Sequence, residues 1–382
     1  MSKFKCIIIH NIISPYKTSL FNTLNKTIKG NFKVLYLSET EKRREWQINK
    51  RELKFPFEIM FKGRIEDINQ IAISVKLYKR LNFYNPEIII IGGYNYLACW
   101  SALMWAKIHK KKVIVIIESH YLDKPRNIIK ENIKRLFLSN CDRALVPGTR
   151  HKKYTISLGM SEEKIYIVKG VGEISISLNN QEKIKQLKSN KDIICKKLNI
   201  PYHNFLFVGR FSPEKNIIFL LNAFKKVKNE DDAKKWGLLL VGNGPQRKEI
   251  EDFIYREEIK DVFLPGFKEN EELLLFYAIA DVFVLPSMSE PWGLVVNEAM
   301  VCSLPILVSN KCGCYPDIIH ERENGFSFNP LNDNELLEFM KNICYGKYNL
   351  RAMSRASLKI IKEYTPEKTA EIYKSAVNFN SL

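Results

Sequence analysis

The chain has 382 residues, of which 46% are hydrophobic and 12% are aromatic. This length exceeds one ordinary core and predicts two domains, and the composition excludes a disordered chain. The eight cysteines form no CxxC pairs, and several, such as Cys6, lie in apolar runs. They are expected to be reduced thiols acting as small hydrophobes, which argues against a disulfide framework or a zinc site. No signal peptide is expected at the amino terminus.

The net charge of +18 belongs to one half of the chain. Residues 1–172 contain 32 Lys and Arg against 14 Asp and Glu, whereas the remainder contains 28 of each kind. This asymmetry predicts that the amino-terminal half meets an anionic partner: lipid headgroups, a phosphorylated substrate or nucleic acid. The alternative is a general excess of solvated lysines without a function.

The amino-terminal half alternates short apolar runs with segments of helical spacing. Residues 18–29 and 68–83 have that spacing, and an uncharged stretch, residues 88–106, is interpreted as a strand, a turn and a helix rather than a membrane span. Alternation of this kind predicts a doubly wound parallel sheet. The predicted strands are "KCIIIHNI", "FKVLYL", "EIIIIGG", "KVIVIIESH" and "RALVPG".

The same alternation begins again after a polar, lysine-rich interval. The predicted domains are residues 1–172, a linker over 173–200, a second domain over 201–362 and a carboxy-terminal helix over 363–382 that returns to the amino-terminal domain. The fold class is therefore α/β, with two Rossmann-like doubly wound domains. The strands of the second domain are "NFLFVGR", "WGLLLVGNG", "DVFLPGF", "DVFVLPS" and "LPILVSN".

Glycines and charged residues follow the strands of the second domain, at the sheet edge where ligands bind. In "FVGRFSPEKN", Gly209 allows a tight turn, and Arg210 and Lys215 follow it. A guanidinium and an ammonium together suit a diphosphate. The alternative is a surface arginine and a lysine at a helix start. The turns at Gly242-Asn243-Gly244 and Pro265-Gly266 allow close backbone approach but do not dictate chemistry.

The stretch "SMSEPWGLVVNEAM" places Glu290 and Glu298 around a predicted helix start. A helix start near Gly293 or Leu294 offers unpaired N–H groups to an anion. A carboxylate accepts two hydrogen bonds from neighbouring hydroxyls, which suits a ribose at Glu298 and a sugar at Glu290. The alternative is a solvated helix face and an exposed loop acid.

These motifs, together with "LPGF" and "ENGF", resemble the nucleotide-sugar domain of retaining glycosyltransferase family 4, a group 1 family of GT-B architecture. The resemblance is specific over residues 205–328 and implies two domains facing a cleft, with a metal-independent, retaining transferase. It implies that Arg210 and Lys215 hold the diphosphate, Glu298 the ribose, Glu290 the donor sugar, and the backbone of Gly293 and Leu294 a phosphate. The remaining donor-site residues implied are Gly209, Gly242, Asn243, Gly244, Pro265, Gly266 and Pro291.

The chain departs from the family pattern in three places. Cys302-Ser303 stands where the family usually has a small residue and a glycine, and Gly313-Cys314 where it usually has two glycines. The loop after the first strand, "NIISPYKTS", lacks a glycine pair that many members carry. These departures bear on the donor and the activity more than on the fold.

The acceptor is expected to meet the amino-terminal half. By the resemblance, His120, after the strand "KVIVII", faces the reacting sugar and joins Glu290, Arg210 and Lys215 as a catalytic residue, the alternative being a loop histidine with its bonds satisfied. Glu118 and His10 are weaker candidates. The predicted acceptor-binding residues lie in two loops that follow strands: Ser14, Tyr16 and Lys17, and then Gly93, Tyr94 and Asn95.

The expected reaction moves a sugar from a UDP- or GDP-linked donor to a saccharide or lipid-linked acceptor in bacterial surface polysaccharide synthesis. No cofactor and no metal are expected, since no Asp-x-Asp follows a strand. The expected location is cytoplasmic, at the inner face of the membrane, with contact through exposed basic and aromatic segments such as residues 41–57. The alternatives are a nucleotide-sugar epimerase, an inactive sugar-nucleotide-binding subunit and a basic nucleic-acid-binding protein.

Overall fold

The computed structural model of the protein describes residues 4–28, 30–42, 50–123, 125–170 and 176–379. The chain divides into two units, of which unit 1 is Met1–Glu173 with Tyr364–Leu382, and unit 2 is Ile174–Glu363. Each unit contains one parallel sheet with helices. The predicted boundary at residue 172 lies outside the described residues.

Unit 1 contains a seven-stranded sheet of order β3-β2-β1-β4-β5-β6-β7 in which every pairing is parallel. Its strands are β1 Cys6–His10, β2 Phe32–Tyr36, β3 Phe57–Ile59, β4 Ile88–Ile91, β5 Lys112–Ile116, β6 Arg143–Val146 and β7 Ile165–Ile167. Its first five helices are α1 Pro15–Thr27, α2 Gln70–Tyr84, α3 Leu97–Ile108, α4 Ile128–Leu138 and α5 Thr149–Ser157.

The isoleucine runs are continuous because helices cover both faces of this sheet. Ile7 and Ile9 pack in one buried cluster with residues of α2 and α3, whereas Ile8 packs in a second cluster with residues of α1. Successive side chains of a strand point to opposite faces, so every position of β1 and β4 is buried.

Unit 2 contains a six-stranded parallel sheet of order β10-β9-β8-β11-β12-β13. Its strands are β8 His203–Val208, β9 Trp236–Val241, β10 Val262–Gly266, β11 Val282–Leu285, β12 Ile306–Ser309 and β13 Gly325–Phe328. Its helices are α6 Gln181–Ser189, α7 Lys191–Leu198, α8 Ile217–Val227, α9 Arg247–Arg256, α10 Asn270–Ile279, α11 Leu294–Val301, α12 Asp333–Cys344 and α13 Leu350–Ile361.

The prediction of an α/β fold with two Rossmann-like, doubly wound domains is confirmed. The strand order reverses between β1 and β4 in unit 1 and between β8 and β11 in unit 2. Ligands of open parallel sheets bind beside such a switch point, at the carboxyl ends of the strands. The loops after these four strands are therefore where the chemistry of each unit is expected.

The interval predicted as a linker, residues 173–200, is largely helical. It contains α6 and α7, and both belong to unit 2. The amphipathic lysine-rich sequence explains the difference, because Ile184 and Cys195 are buried while Lys185, Lys196 and Lys197 are exposed. Lys188 Nζ also donates to Cys302 O (2.6 Å), at the carboxyl end of α11, where a cation is favourable.

A last helix, α14 Pro366–Val377, belongs to unit 1. It packs against α1 and supplies Tyr373 to the buried cluster around Ile8. The buried Arg143 of β6 donates to Ala376 O (2.7 Å) and Asn378 O (2.9 Å), so its cation satisfies carbonyls at the end of α14.

The segment 41–57, predicted as an exposed membrane contact, has a different role at its carboxyl end. Phe55 is buried and packs edge-to-face on Phe21, and Phe57 begins the edge strand β3. These aromatic rings cover the core beside β2, which is where their apolar area is best buried. Residues 43–49 lie outside the described residues. Within the described part of the chain, no helix is long and apolar enough to cross a bilayer.

Candidate active site

The loops after β8 and β11 meet at the switch point of unit 2. The Met288 N–H donates to Glu214 O (2.8 Å), which joins the two loops through the backbone. Lys215 Nζ forms an ion pair with Glu290 Oε2. The structure therefore brings together two of the predicted site residues, one from each loop.

The Lys215–Glu290 pair is enclosed, since the two side chains are 16% and 13% exposed. Burial disfavours the Lys215 ammonium, but the Glu290 carboxylate beside it outweighs that effect and raises the pKa of Lys215. Lys215 is therefore a cation at neutral pH, and its charge is balanced by Glu290.

The loop that carries Glu290 is fixed by backbone bonds from the loop after β12. Gly313 N–H donates to Glu290 O (2.9 Å), and Cys314 N–H donates to Trp292 O (3.0 Å). The indole Nε1 of Trp292 donates to Asn297 Oδ1 (3.0 Å) in α11. Gly313-Cys314, one of the departures from the family pattern, thus supports the loop through main-chain groups that do not depend on a second glycine.

Gly293 connects this loop to α11. Its φ of 103° lies in the left-handed region that favours glycine. A Cβ at Gly293 would lie 3.4 Å from Glu290 Cγ and 3.4 Å from Leu285 Cδ2, which is ordinary van der Waals contact, so the backbone angle rather than lack of space favours glycine here. The first N–H groups of α11, beginning at Leu294, start directly after it.

Glu298 is buried within α11 and has a protein partner. The Tyr277 hydroxyl of α10 donates to Glu298 Oε2 (2.9 Å) and lies 3.2 Å from Val295 O. Burial, followed by the charge of Glu298, raises the pKa of Tyr277. One oxygen of the carboxylate is thus held by Tyr277, and the predicted contact between Glu298 and a ribose stays a prediction.

The glycines after β9 pack against the loop that follows β8. A Cβ at Gly242 would lie 1.9 Å from Gly209 O, and a Cβ at Gly244 would lie 2.4 Å from Phe211 O. The Phe211 N–H donates to Asn243 O (2.8 Å). These glycines therefore hold two neighbouring loops together, a packing role that the sequence analysis did not anticipate. Their predicted contact with the donor is not tested by this packing.

The other predicted donor residues line the same edge. Gly266 ends β10 with a φ of 83°, and its carbonyl accepts from Gly242 N–H (3.0 Å). Arg210 and Pro291 are exposed in the loops after β8 and β11. Arg210 is thus accessible to an anionic ligand, and its contact with a diphosphate stays a prediction.

The departure at Cys302-Ser303 lies at the end of α11. Ser303 has a φ of 58°, in the left-handed region where the family's usual glycine is unstrained. Burial raises the pKa of the Cys302 thiol, which keeps it protonated.

A second charged cluster lies at the carboxyl edge of the sheet in unit 1. Lys17 Nζ of α1 lies 2.7 Å from Glu118 Oε1, and the two side chains are 2% and 37% exposed. Burial opposes both charges, but each ion stabilises the other, so the pKa of Lys17 is raised and that of Glu118 is lowered. Lys17, predicted as an acceptor or phosphate contact, is therefore paired within the protein.

His10 borders this pair at the end of β1. Its Nδ1 lies 3.0 Å from Ile12 O, an arrangement in which Nδ1 carries the proton. Burial, together with the Lys17 cation, lowers the pKa of His10 to about 4, so the imidazole is neutral near pH 7. Three buried hydroxyls of unit 1, Ser14 Oγ, Tyr36 Oη and Tyr373 Oη, have no hydrogen-bond partner within the described chain.

Of the remaining predicted acceptor residues, Tyr16 lies in the first turn of α1 rather than in a loop, and Gly93, Tyr94 and Asn95 lie in the loop after β4. Tyr16 is partly exposed beside Lys17, and Asn95 is exposed. Tyr94 Oη lies 3.1 Å from Ser119 Oγ, next to Glu118. Gly93 has a φ of 110°, with open space where a Cβ would lie. Their contact with an acceptor stays a prediction.

His120, the predicted catalytic histidine, is buried in unit 1. The Leu122 N–H donates to its Nδ1 (3.3 Å), its carbonyl accepts from Arg126, and its ring packs edge-to-face on His151. The imidazole is thus held within unit 1 by these contacts. Its catalytic role stays a prediction.

Comparison with known proteins identifies a family match within unit 2. Residues 180–358 match the family model of glycosyl transferases group 1. These residues lie within unit 2 and include both Lys215 and Glu290. Unit 2 is a group 1 glycosyltransferase domain.

Curated relatives and solved structures agree with this assignment. The chain is 27% identical over 280 residues to a 41.2 kDa protein of the cps region of Klebsiella pneumoniae, covering 72% of this chain and 69% of that protein. It is 27% identical over 246 residues to alpha-monoglucosyldiacylglycerol synthase of Acholeplasma laidlawii, covering 63% and 58%. The fold is similar to that of HepE from Anabaena in complex with UDP and glucose, with a TM-score of 0.72, 16% identity, and coverage of 99% and 100%. The GT-B architecture expected from the sequence is thereby confirmed.

Tyr277 is the site residue that the sequence analysis missed. It lies in an apolar helical stretch, "LLLFYAIA", where a tyrosine is indistinguishable from a core residue. No local pattern in the sequence connects it with Glu298, 21 residues later. The pairing of Lys17 with Glu118 was likewise invisible, because 101 residues separate them.

Proposed function

We propose that this glycosyltransferase moves a sugar from a UDP- or GDP-linked donor to a saccharide or lipid-linked acceptor, with retention of the anomeric configuration. The observation that carries the proposal is the Lys215–Glu290 pair at the switch point of unit 2. A cation and a carboxylate held in contact offer one group to a phosphate and one to sugar hydroxyls, as a nucleoside diphosphate sugar requires. The solved structure of HepE, which shares the fold, is a complex with UDP and glucose.

In the proposed reaction, the bond between the anomeric carbon and the phosphate oxygen breaks, and the nucleoside diphosphate leaves with the electron pair. The acceptor hydroxyl oxygen forms the new bond and loses its proton to a phosphate oxygen of the leaving nucleoside diphosphate. Lys215, the exposed Arg210 and the first N–H groups of α11 stabilise the charge that develops on the diphosphate. These cations replace a metal in the proposal, and they serve both a same-face attack and a path through a covalent intermediate.

We also propose that the product belongs to a bacterial surface polysaccharide, such as an O-antigen, a capsule or a cell-envelope glycan. The related Klebsiella protein is described as lying in a cps region, and the Acholeplasma relative as a glucosyldiacylglycerol synthase. A lipid-linked acceptor would bring the protein to the inner face of the cytoplasmic membrane. The positive charge of residues 1–172 supports an approach to anionic lipid.

Thermal unfolding with a panel of nucleotides and nucleotide sugars tests the donor proposal. A ligand at a hundred times its Kd stabilises the folded state by about 2.7 kcal/mol, which raises the midpoint by about 5 °C or more for a unit of this size. Arg210→Ala and Glu298→Ala are expected to remove most of that shift, while Arg256→Ala, another exposed arginine of unit 2, leaves it unchanged.

The role of His120 is tested separately. His120→Ala and His120→Gln are expected to keep the nucleotide-induced shift and to lose sugar transfer. Magnetic resonance of the product reports whether the anomeric configuration is retained. The proposal is wrong if no uridine or guanosine diphosphate compound raises the midpoint, or if Arg210→Ala keeps the full shift.

A further inference from the structure

Helix α4 of unit 1 exposes four aliphatic side chains. They are Ile128, Ile129, Ile133 and Leu136, with the exposed Asn132 beside them, and we call the four the α4 apolar face. Ile129, Ile133 and Leu136 follow each other at spacings of four and three residues, which places them on one side of the helix. An aliphatic stripe on a well-formed helix is a surface built for contact rather than scattered exposure.

The opposite side of α4 is fixed to its own unit. The Tyr154 hydroxyl donates to Glu131 Oε2 (2.8 Å), and Lys134 Nζ lies 2.7 Å from Glu131 Oε1. Phe137 is buried below them. The Asn127 side chain caps the helix start by accepting from the N–H groups of Ile129 and Lys130. The helix is thus anchored to unit 1 on one side, and its apolar face is exposed to solvent.

The charges around this face are positive. Lys130 and Arg135 are exposed on the two flanks of the stripe. Glu131 is the sole acid among residues 128–138, and it is neutralised on the inner side by Lys134. The preceding loop adds exposed Tyr121 and Leu122. Residues 1–172 as a whole carry the net charge of +18.

We propose that the α4 apolar face docks the protein on an anionic lipid bilayer. The isoleucines and the leucine enter the boundary between headgroups and acyl chains, while Lys130 and Arg135 meet acidic headgroups. A helix of 11 residues with an aliphatic face and cationic flanks has the composition of an in-plane interfacial helix. The inference deepens the proposed function, because it names the surface through which a membrane-bound acceptor would be approached.

The composition of the face favours lipid over a protein partner. The centres of protein interfaces are enriched in aromatic residues, Met and Arg and depleted in Lys. The α4 apolar face is purely aliphatic, and its flanking cations have long stems that extend from an apolar surface to a charged one. An anionic bilayer offers acyl chains to the aliphatic side chains and acidic headgroups to the cations.

Sedimentation of the full-length protein with vesicles tests the proposal. The probes are vesicles of phosphatidylcholine alone and of phosphatidylcholine with one third phosphatidylglycerol. The triple variant Ile129→Ser, Ile133→Ser, Leu136→Ser is expected to bind the mixed vesicles on the order of a hundredfold more weakly. The control is Ile193→Ser in α7 of unit 2, since Ile193 and Ile129 are both 66% exposed, and this variant is expected to bind like the unaltered protein.

The flanking cations are tested by Lys130→Gln and Arg135→Gln, which change no apolar group. Each is expected to weaken binding to the mixed vesicles about fivefold and to leave the residual binding to neutral vesicles unchanged. Because these positions are exposed, the variants should unfold at the same temperature as the unaltered protein.

Three results would overturn the inference: an unaltered protein that ignores the mixed vesicles, a triple variant that binds them equally well, or a solution dimer that the triple variant dissociates. The last result would make the face an interface between two copies. The midpoint shift produced by UDP or GDP compounds is measured on the same variants. Its absence in every form refutes the proposed donor, and it is independent of vesicle binding.

Discussion

The pairing of Lys17 with Glu118 predicts an asymmetric response to mutation. Glu118→Gln removes the anion and leaves the Lys17 ammonium among buried groups, whereas Lys17→Met removes the cation and leaves a carboxylate that retains contact with water. The side chains differ accordingly, at 2% exposure for Lys17 and 37% for Glu118. An ion costs more when it is left alone in the interior than at a partly hydrated position.

The exposures set the size of the effect. Removing one partner of a fully buried ion pair costs about 3–5 kcal/mol, and the neutral glutamine oxygen still accepts a bond, so Glu118→Gln should cost about 3 kcal/mol. For Lys17→Met the value is reduced by solvent screening of Glu118 to about 1 kcal/mol. The double variant removes both charges and should be more stable than Glu118→Gln alone.

Native-state hydrogen exchange measures these costs one unit at a time. The slowest amides of β1 and β5 report on unit 1, and those of β8 and β11 in the same molecule report on unit 2 and should not change. Equal losses of unfolding free energy in Lys17→Met and Glu118→Gln, or a double variant less stable than either single variant, would refute the reasoning from burial.

The other predictions concern single side chains. The pKa of His10 is lowered from 6.5 to about 4. The contribution of the neutral imidazole to the free energy of unfolding is present above pH 6.5 and should fall by about 3 kcal/mol as the pH drops towards 4. Hydrogen exchange of unit 1 should therefore show that the stability difference between the unaltered protein and His10→Gln shrinks over that range. Gly242→Ala should destabilise unit 2 by about 3 kcal/mol or more because its Cβ meets a carbonyl, whereas Gly266→Ala, whose nearest neighbour is 3.7 Å away, should cost about 1 kcal/mol in denaturant unfolding; similar losses at both would contradict the packing argument. Tyr277→Phe should cost about 1–3 kcal/mol because buried Glu298 loses a donor, and an unchanged unfolding midpoint would show that this hydroxyl is dispensable.

The buried strands could be predicted from the sequence because their physics is local. The runs at β4, β9 and β11 are apolar at every position, and those at β1 and β8 are apolar except for His10, His203 and Asn204, as central parallel strands require. The edge strands β3, β7 and β13 were missed, because β3 and β7 have only three residues each and β13 includes a glycine and a serine among its four. The helices α6 and α7 were taken for a linker because their lysines outnumber the few residues they bury.

The candidate site was likewise predicted only in part. Glycine and charge at strand ends indicated the loops after β8 and β11, and the contact between Lys215 and Glu290 agrees with that choice of loops. The sequence could not show which of these groups already bond to or pack against one another. The bond from Tyr277 to Glu298 and the packing of Gly242 on Gly209 depend on distances between remote residues, which no local spacing encodes.

The position of α14 has a consequence for synthesis on the ribosome. Residues 366–377 complete the core of a unit whose other elements lie before residue 171, so nearly 200 residues are translated between the two parts. Unit 2 can finish folding first, while the space for Tyr373 stays unfilled and Arg143 lacks its carbonyl partners until α14 has been translated. A chain released before α14 is translated therefore carries a complete unit 2 and an incomplete unit 1, which makes it a substrate for chaperones and proteases.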